Sequence, residues 1–221
     1  MNETTITVRG SSEARLTPER ARVALTVAED GPDRTRVVTA AAGIADQLTD
    51  RITAVTDRHA GPVVSWTSDA VSVWAERPWN TAGVQQGTVH HATVRFSVLI
   101  DDFGFLDGFV DGVAALPGVT VEGVSWALTD RTRLAALDDV RARAVQDAVE
   151  KAAVYARSIG LGTVRAVALA DEGMLGDRAP SAGREDDAMM MRSAKADGPG
   201  LSLRPDELVV SAVVDARFLA G

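Results

Sequence analysis

The chain contains no cysteine. Disulfides, thiolate zinc sites and thiol catalysis are thereby excluded, and any redox compartment is compatible with the composition. Histidine is scarce: His59, His90 and His91 are the only three. His90 and His91 are neighbours in a strand pattern, so they point to opposite faces and cannot share a metal ion. His59 falls at the end of a helix pattern, where histidine suits the carbonyl end of the dipole. Lysine is scarcer still, with only Lys151 and Lys195, and nearly all the basic residues are arginine. Twenty-three Lys and Arg against 31 Asp and Glu give a formal net charge of −8. Such a chain repels nucleic-acid backbones, which argues against a DNA- or RNA-binding role. No apolar run approaches the roughly 20 residues that cross a bilayer as a helix, so no membrane span is expected. The chain opens Met1-Asn2-Glu3-Thr4-Thr5 directly into a strand pattern, with neither a basic n-region nor an apolar h-region. The expectation is a cytoplasmic protein without a signal peptide.

The motifs of common chemistries are missing too. Gly160-Leu161-Gly162 lacks a third glycine and follows a helix pattern, whereas a dinucleotide fingerprint follows a strand and opens a helix. Ser125, in Gly123-Val124-Ser125-Trp126-Ala127, lacks the closing glycine of a nucleophile elbow, and there is no Walker sequence. The carboxylates of Asp101, Asp102, Asp107 and Asp111, of Asp138 and Asp139, and of Glu185, Asp186 and Asp187 match no calcium-loop spacing. They read as helix caps and solvated faces. The expectation is therefore a non-enzyme with no catalytic residue, no cofactor and no metal site. One alternative is a small-molecule or soft-metal protein, because Met189-Met190-Met191 offers thioethers that suit Cu(I). The same side chains also suit partner contact. Trp66, Trp74 and Trp126 read as core or interface residues. Trp79, in the turn-rich loop from Arg77 to Gly87, is the tryptophan expected at a contact surface.

What is present is a regular alternation of strand and helix patterns over 221 residues, enough for one domain spanning 1–221 with a sizeable core. Ile6, Val8 and Gly10 alternate with polar residues, as do Val23, Leu25 and Val27 after Pro18, which predicts two strands joined as a hairpin. Gly31-Pro32-Asp33 starts a helix with Val37, Ala41, Ile44, Leu48, Ile52 and Val55 on one face. A second β region runs from Val63 to Ala75. Ala92, Val94, Phe96, Val98 and Ile100 then line one face of a strand over 89–100. Asp101-Asp102 caps a short helix with Leu106, Phe109, Val110, Val113 and Leu116 inward, and a strand with Val124, Trp126 and Leu128 on one side follows.

A long helix then begins at Thr129 or Asp130 and stops at Gly160. Its expected seam is Leu134, Leu137, Ala144, Ala148, Ala152, Tyr155 and Ile159, with Asp147 and Lys151 facing water. After a strand at 164–169, residues 173–204 are rich in Gly, Ala, Ser, Pro, Asp, Arg and Met without a period, and read as a mobile arm. A last strand carries Leu208, Val210, Ala212, Val214 and Phe218. The order ββαββαβαββ predicts an α+β fold of mostly antiparallel sheets with packed helices.

Four stretches resemble the SIMPL-domain family. Ile6-Thr7-Val8-Arg9-Gly10, with Leu16-Thr17-Pro18-Glu19 and Ala21-Arg22-Val23, is similar to its opening hairpin motif. Val124-Ser125-Trp126-Ala127-Leu128-Thr129-Asp130 is similar to its strand-and-cap motif. Arg141-Ala142-Arg143-Ala144-Val145-Gln146-Asp147-Ala148 is similar to its alanine-rich helix, and Pro205-Asp206-Glu207-Leu208-Val209-Val210-Ser211-Ala212 to its final strand. The resemblance implies an α+β fold, self-assembly as a homo-oligomer and no established enzyme activity. It also implies kinship with exported bacterial proteins of oxidative-stress defence and with animal members linked to a signalling kinase.

Overall fold

The computed structural model describes residues 3–57, 61–175 and 204–221. His59, the Glu185–Asp187 cluster, the Met189–Met191 run and most of the expected arm lie outside the described residues. The described residues form eight strands and three helices: β1 (Thr4–Leu16), β2 (Arg20–Gly31), α1 (Arg34–Ala54), β3 (Val63–Ser68), β4 (Ser72–Glu76), β5 (Val89–Ile100), α2 (Phe103–Ala114), β6 (Val119–Ala127), α3 (Asp130–Ser158), β7 (Val164–Asp171) and β8 (Leu208–Ala220). They divide into two compact units. One holds β1, α3, β7 and β8, the other β2, α1, β3, β4, β5, α2 and β6. Every strand pair in both sheets is antiparallel.

In the first unit the sheet order is β1-β8-β7. Strands β1 and β8 pair along their full 13-residue lengths, from Thr4 opposite Ala220 to Leu16 opposite Leu208. Ile6, Val8, Val214, Ala216, Phe218 and Ala220 are buried against α3. The side of α3 that meets them is Ala144, Ala148, Ala152 and Ala156, and the same spacing of one residue in four continues back through Val140 and Ala136, which pack with Val210. Ala144, Ala148 and Ala152 face inward as the sequence predicts, whereas Leu134, Tyr155 and Ile159 are more than half exposed and drop out of the expected seam.

The cause is the closeness of the contact. A Cβ placed on Gly10 would overlap the Ala144 carbonyl oxygen and stand 2.8 Å from the Ala148 Cβ and amide nitrogen. Helix and strand backbones are in contact there, which leaves room only for methyl side chains. Asp147 and Lys151 do not simply face water, as expected, but fasten the helix to β1. Ser11 N–H donates to Asp147 Oδ2 at 2.8 Å, Lys151 Nζ donates to the Arg9 carbonyl at 3.0 Å, and the two side chains meet at 2.7 Å. Thr129 caps the start of α3 by accepting from Thr132 N–H, and Gly160, at φ 79°, follows its last turn.

The second unit has the order β3-β5-β2-β6, with β4 also on β5. Strands β1 and β2 therefore do not form the expected hairpin. Each strand's alternation shows which face is buried but not which strand lies beside it, and Thr17-Pro18-Glu19 has none of the glycine chemistry of a tight hairpin turn. The core lies between the sheet and helices α1 and α2, with Val23, Leu25, Leu48, Ile52, Val98, Ile100 and Leu106 almost wholly buried. Of the expected inward residues of α1, Val37, Ala41, Leu48 and Ile52 are buried and Ile44 and Val55 partly so, and those of β5, Ala92 through Ile100, and of α2, Leu106 through Leu116, are in place. Asp33 and Asp102 cap the two helices by accepting from Arg36 N–H and from Gly104 and Phe105 N–H. Val124 and Trp126 pack on this core, whereas Leu128, beyond the strand end, packs with Ala136, Val140 and Val210.

The region 63–75 is two strands rather than one. Ser68 stands opposite Phe96 and Ser72 opposite Thr93, so Asp69, Ala70 and Val71 leave the ladder between them.

Candidate functional site

That break lies beside Arg95. Alternation puts Ala92, Val94, Phe96 and Val98 in the core, so His91, Thr93, Arg95 and Ser97 project from the face without helices. Across the sheet Arg95 stands opposite Thr26, and Ser97 opposite Ala24. On one side the chain escapes the ladder at Asp69, whose N–H donates to the Arg95 carbonyl at 2.9 Å. On the other, β6 slips by one residue. Ala24 faces Gly123 and Leu25 faces Val121, leaving Glu122 as the extra residue of a bulge. Two irregularities thus fall on one line across the sheet, one on each side of the β5–β2 pair. Bulges bend a strand and re-aim side chains, and here a depression of about 580 Å³ opens between them.

Thr26, Thr93, Arg95 and Ser97 floor the depression; Asp69, Ser72, Trp74 and Glu122 are among its walls. Arg95, Asp69 and Glu122 make no side-chain hydrogen bond or ion pair with any described residue. Ser97 Oγ accepts from Arg22 Nη1 at 3.1 Å. Trp74 stacks on His91 with ring centroids 5.1 Å apart and an interplanar angle of 16°, and stays nearly half exposed. His91 Nε2 is 3.5 Å from Glu76 Oε1.

A second polar cluster lies in the other unit, on the face of its sheet away from α3. Arg9 and Asp215 are direct cross-strand partners. Arg9 Nε donates to Asp215 Oδ1 at 2.8 Å and Arg9 Nη1 to Glu172 Oε1 at 2.7 Å, while Gly173 N–H donates to Asp215 Oδ2 at 2.8 Å. Arg9 holds the Asp215 carboxyl below its ordinary value, helped by the Gly173 amide, and Asp215 in turn raises the Arg9 guanidinium. Lys151 first, then the Ser11 amide, depress Asp147 likewise. Every strong acceptor and donor here is matched, so this cluster ties the turn after β7 to β8 and β1.

The remaining sequence candidates are dispersed. Trp79, 67% exposed, sits at the tip of the β4–β5 connection. Trp66 and Trp126 pack on the core beside Phe96 and Phe103. Asp102 is spent on its cap, and Asp139 pairs with Arg143 one turn away. Ser125 Oγ donates weakly to the Arg22 carbonyl at 3.5 Å. Among the described residues no three His, Asp or Glu side chains gather as a metal site, and no helix is long and apolar enough to cross a membrane. Sequence reasoning missed Arg95, Asp69 and Glu122 as a group. The turn-forming pair Ser68-Asp69 inside a β pattern was the signal for the break, and Glu122-Gly123 inside β6 the signal for the bulge.

Antiparallel sheets, one covered by α3 and the other by α1 and α2, define an α+β protein with its candidate site on an open sheet face. The chain belongs to the SIMPL family, described as a protein of unknown function (DUF541), whose model matches residues 6–218. No curated protein matches the chain.

Proposed function

We propose that this SIMPL-domain protein is a non-enzymatic, self-associating scaffold or interaction module with a stress-associated role. The observation that carries the reading is the Trp79 arm. Past β4 the chain continues as a hydrogen-bonded hairpin. Trp79 bridges Gln85, Gln86 N–H donates to the Pro78 carbonyl at 2.8 Å, and Asn80 N–H to the Val84 carbonyl at 2.9 Å. The Asn80 side chain closes the tip by accepting from Ala82 and Val84 N–H at 3.0 and 2.8 Å, with Gly83 in the left-handed region at φ 72°. This framework holds an indole and Val84 out in water.

An exposed tryptophan on an ordered scaffold is the side chain most favoured at the centre of protein interfaces. From Pro78 to Thr88 the arm carries no charge, on a chain of net charge −8. Copies of an acidic protein repel one another, and an uncharged tip is where two approach at least cost. Light scattering at micromolar concentration tests the reading. The expected result is an oligomer whose mass falls in Trp79→Ser, with the melting temperature unchanged. A wild-type protein that is strictly monomeric overturns it.

A further inference from the structure

We propose that the depression over Arg95 is a saccharide-binding site. Its lining selects the ligand class by what it offers and by what it lacks. Arg95 presents up to five N–H donors; Asp69 and Glu122 present carboxylate oxygens that only accept. None of the three is satisfied by a described residue. The hydroxyls of Thr26, Thr67, Ser72 and Thr93 add groups that do both. A ligand that satisfies this set must carry many groups that donate and accept within a short span, which is the character of a sugar ring.

Trp74 supplies the remaining requirement. Its half-exposed indole gives an apolar platform for the C–H face of a pyranose. A phosphate or other anion is disfavoured, because one guanidinium shares the depression with two carboxylates, a net of one negative charge. A wholly apolar ligand is disfavoured as well, because Leu25 and Phe96 lie buried beneath the floor, Trp74 and Ala24 are the exposed apolar residues of the lining, and such a ligand would leave the three charged groups without partners. Asp69 and Glu122 stand beyond opposite sides of the β5–β2 pair, on backbones separated by three strand spacings, about 14 Å. Among the described residues no third carboxylate or histidine joins them as a metal site, and strands that far apart leave room between them for a two-ring sugar. Both carboxylates are placed by a local departure from the ladder, the break at Asp69 and the bulge at Glu122, so the sheet is irregular where the ligand would sit.

The test uses the full chain in isothermal titration and saturation-transfer NMR. The probes are maltose, cellobiose and N,N′-diacetylchitobiose, with inorganic phosphate and glycine as anionic and zwitterionic arms. Saturable binding of at least one disaccharide is expected, weakened roughly tenfold or more in Arg95→Gln and in Glu122→Gln, since each loses a charge-assisted hydrogen bond. Both side chains are exposed and unpaired, so thermal melts of the two variants should match the parent. Trp74→Ala, which also removes the stack on His91, should weaken binding further. Disaccharides that fail to bind, binding that survives both Arg95→Gln and Glu122→Gln, or saturable phosphate or glycine in place of the sugars would each overturn the proposal.

Discussion

Replacing Gly10 by alanine adds one methyl group where the structure has no space for it. The new Cβ would overlap the Ala144 carbonyl oxygen and lie 2.8 Å from two atoms of Ala148. Carbon atoms rest at about 3.5–4.0 Å, so α3 must lift from β1 by roughly 1 Å. The obstacle is backbone, with no flexible side chain to swing aside. A radial gap of that size forfeits about a quarter to a half of each dispersion contact it opens. The contacts affected are those of Ala144, Ala148, Ala152 and Ala156 with Ile6, Val8, Val214 and Phe218. The 2.8 and 3.0 Å hydrogen bonds from Ser11 to Asp147 and from Lys151 to Arg9 stretch with them.

Overpacking of this kind costs about 1–3 kcal/mol, while alanine in a strand regains about 0.5–1 kcal/mol of glycine's conformational cost. Because the obstacle is main chain, the upper end of the overpacking range applies, about 3 kcal/mol, and after the regained conformational term a net loss of about 2 kcal/mol is expected. Gly43→Ala is the control. Gly43 is exposed inside α1 with nothing within 4 Å of its added Cβ, so that change should stabilise by about 0.5–1 kcal/mol. Urea denaturation followed by far-UV circular dichroism reads both, and the two midpoints should move in opposite directions. A Gly10→Ala protein as stable as the parent would refute the claim that the two backbones touch.

Asp147 and Asp215 both titrate below the ordinary value of 3.8 in the folded chain. A carboxyl with a depressed folded pKa binds more protons when unfolded, so its contribution is present above about pH 4 and is lost as pH falls through the folded values. Asp215→Asn should therefore flatten the acid limb of stability below about pH 4, measured by urea midpoints across pH; a limb of unchanged steepness would count against the Arg9–Asp215 pairing. Asp33→Ala removes the acceptor of Arg36 N–H and should cost about 1 kcal/mol by the same assay, with Asp33→Ser restoring most of it. Leu48→Ala empties a wholly buried site between α1 and its sheet and should cost about 2–5 kcal/mol.

The parts of the fold legible in the sequence are those governed by a residue's own periodicity. Strand β5 alternates cleanly because one face is core, and the inward residues of α1 and α2 recur at helical spacing because each helix lies on a broad apolar sheet. What periodicity does not encode is the identity of the neighbour. The pattern of β1 is the same whether it pairs β2 or β8, and only the 13-residue register with β8 decides. The α3 seam was legible at Ala144, Ala148 and Ala152 and obscured towards its ends, where Leu134, Tyr155 and Ile159 are exposed, for a related reason. Large apolar residues weigh most in a pattern, yet the buried row is alanine, selected by how closely the Gly10 backbone approaches. The exposure of Trp79 was legible because a lone indole among turn-forming residues has no periodic partner to bury it.

The site over Arg95 was illegible because it is made of departures from regularity. A single arginine in an alternating strand reads as a solvated face, and Asp69 and Glu122 are more than 50 residues apart in the chain. They are brought to one line only by the antiparallel order β3-β5-β2-β6. Contrast with the first unit sharpens the assignment. There Arg9, Asp215, Glu172, Asp147 and Lys151 are also charged groups on one strand pair and its surroundings, and each is matched by a partner at 2.7–3.0 Å. Charge spent internally holds strands and turns in place. Charge left unpaired in a hollow does no such work for the fold, and exposed groups of that kind can be removed at little cost to stability. The two clusters should therefore separate under substitution: Asp215→Asn changes acid stability, while Glu122→Gln leaves stability alone and alters only what the open face of the five-stranded sheet can hold.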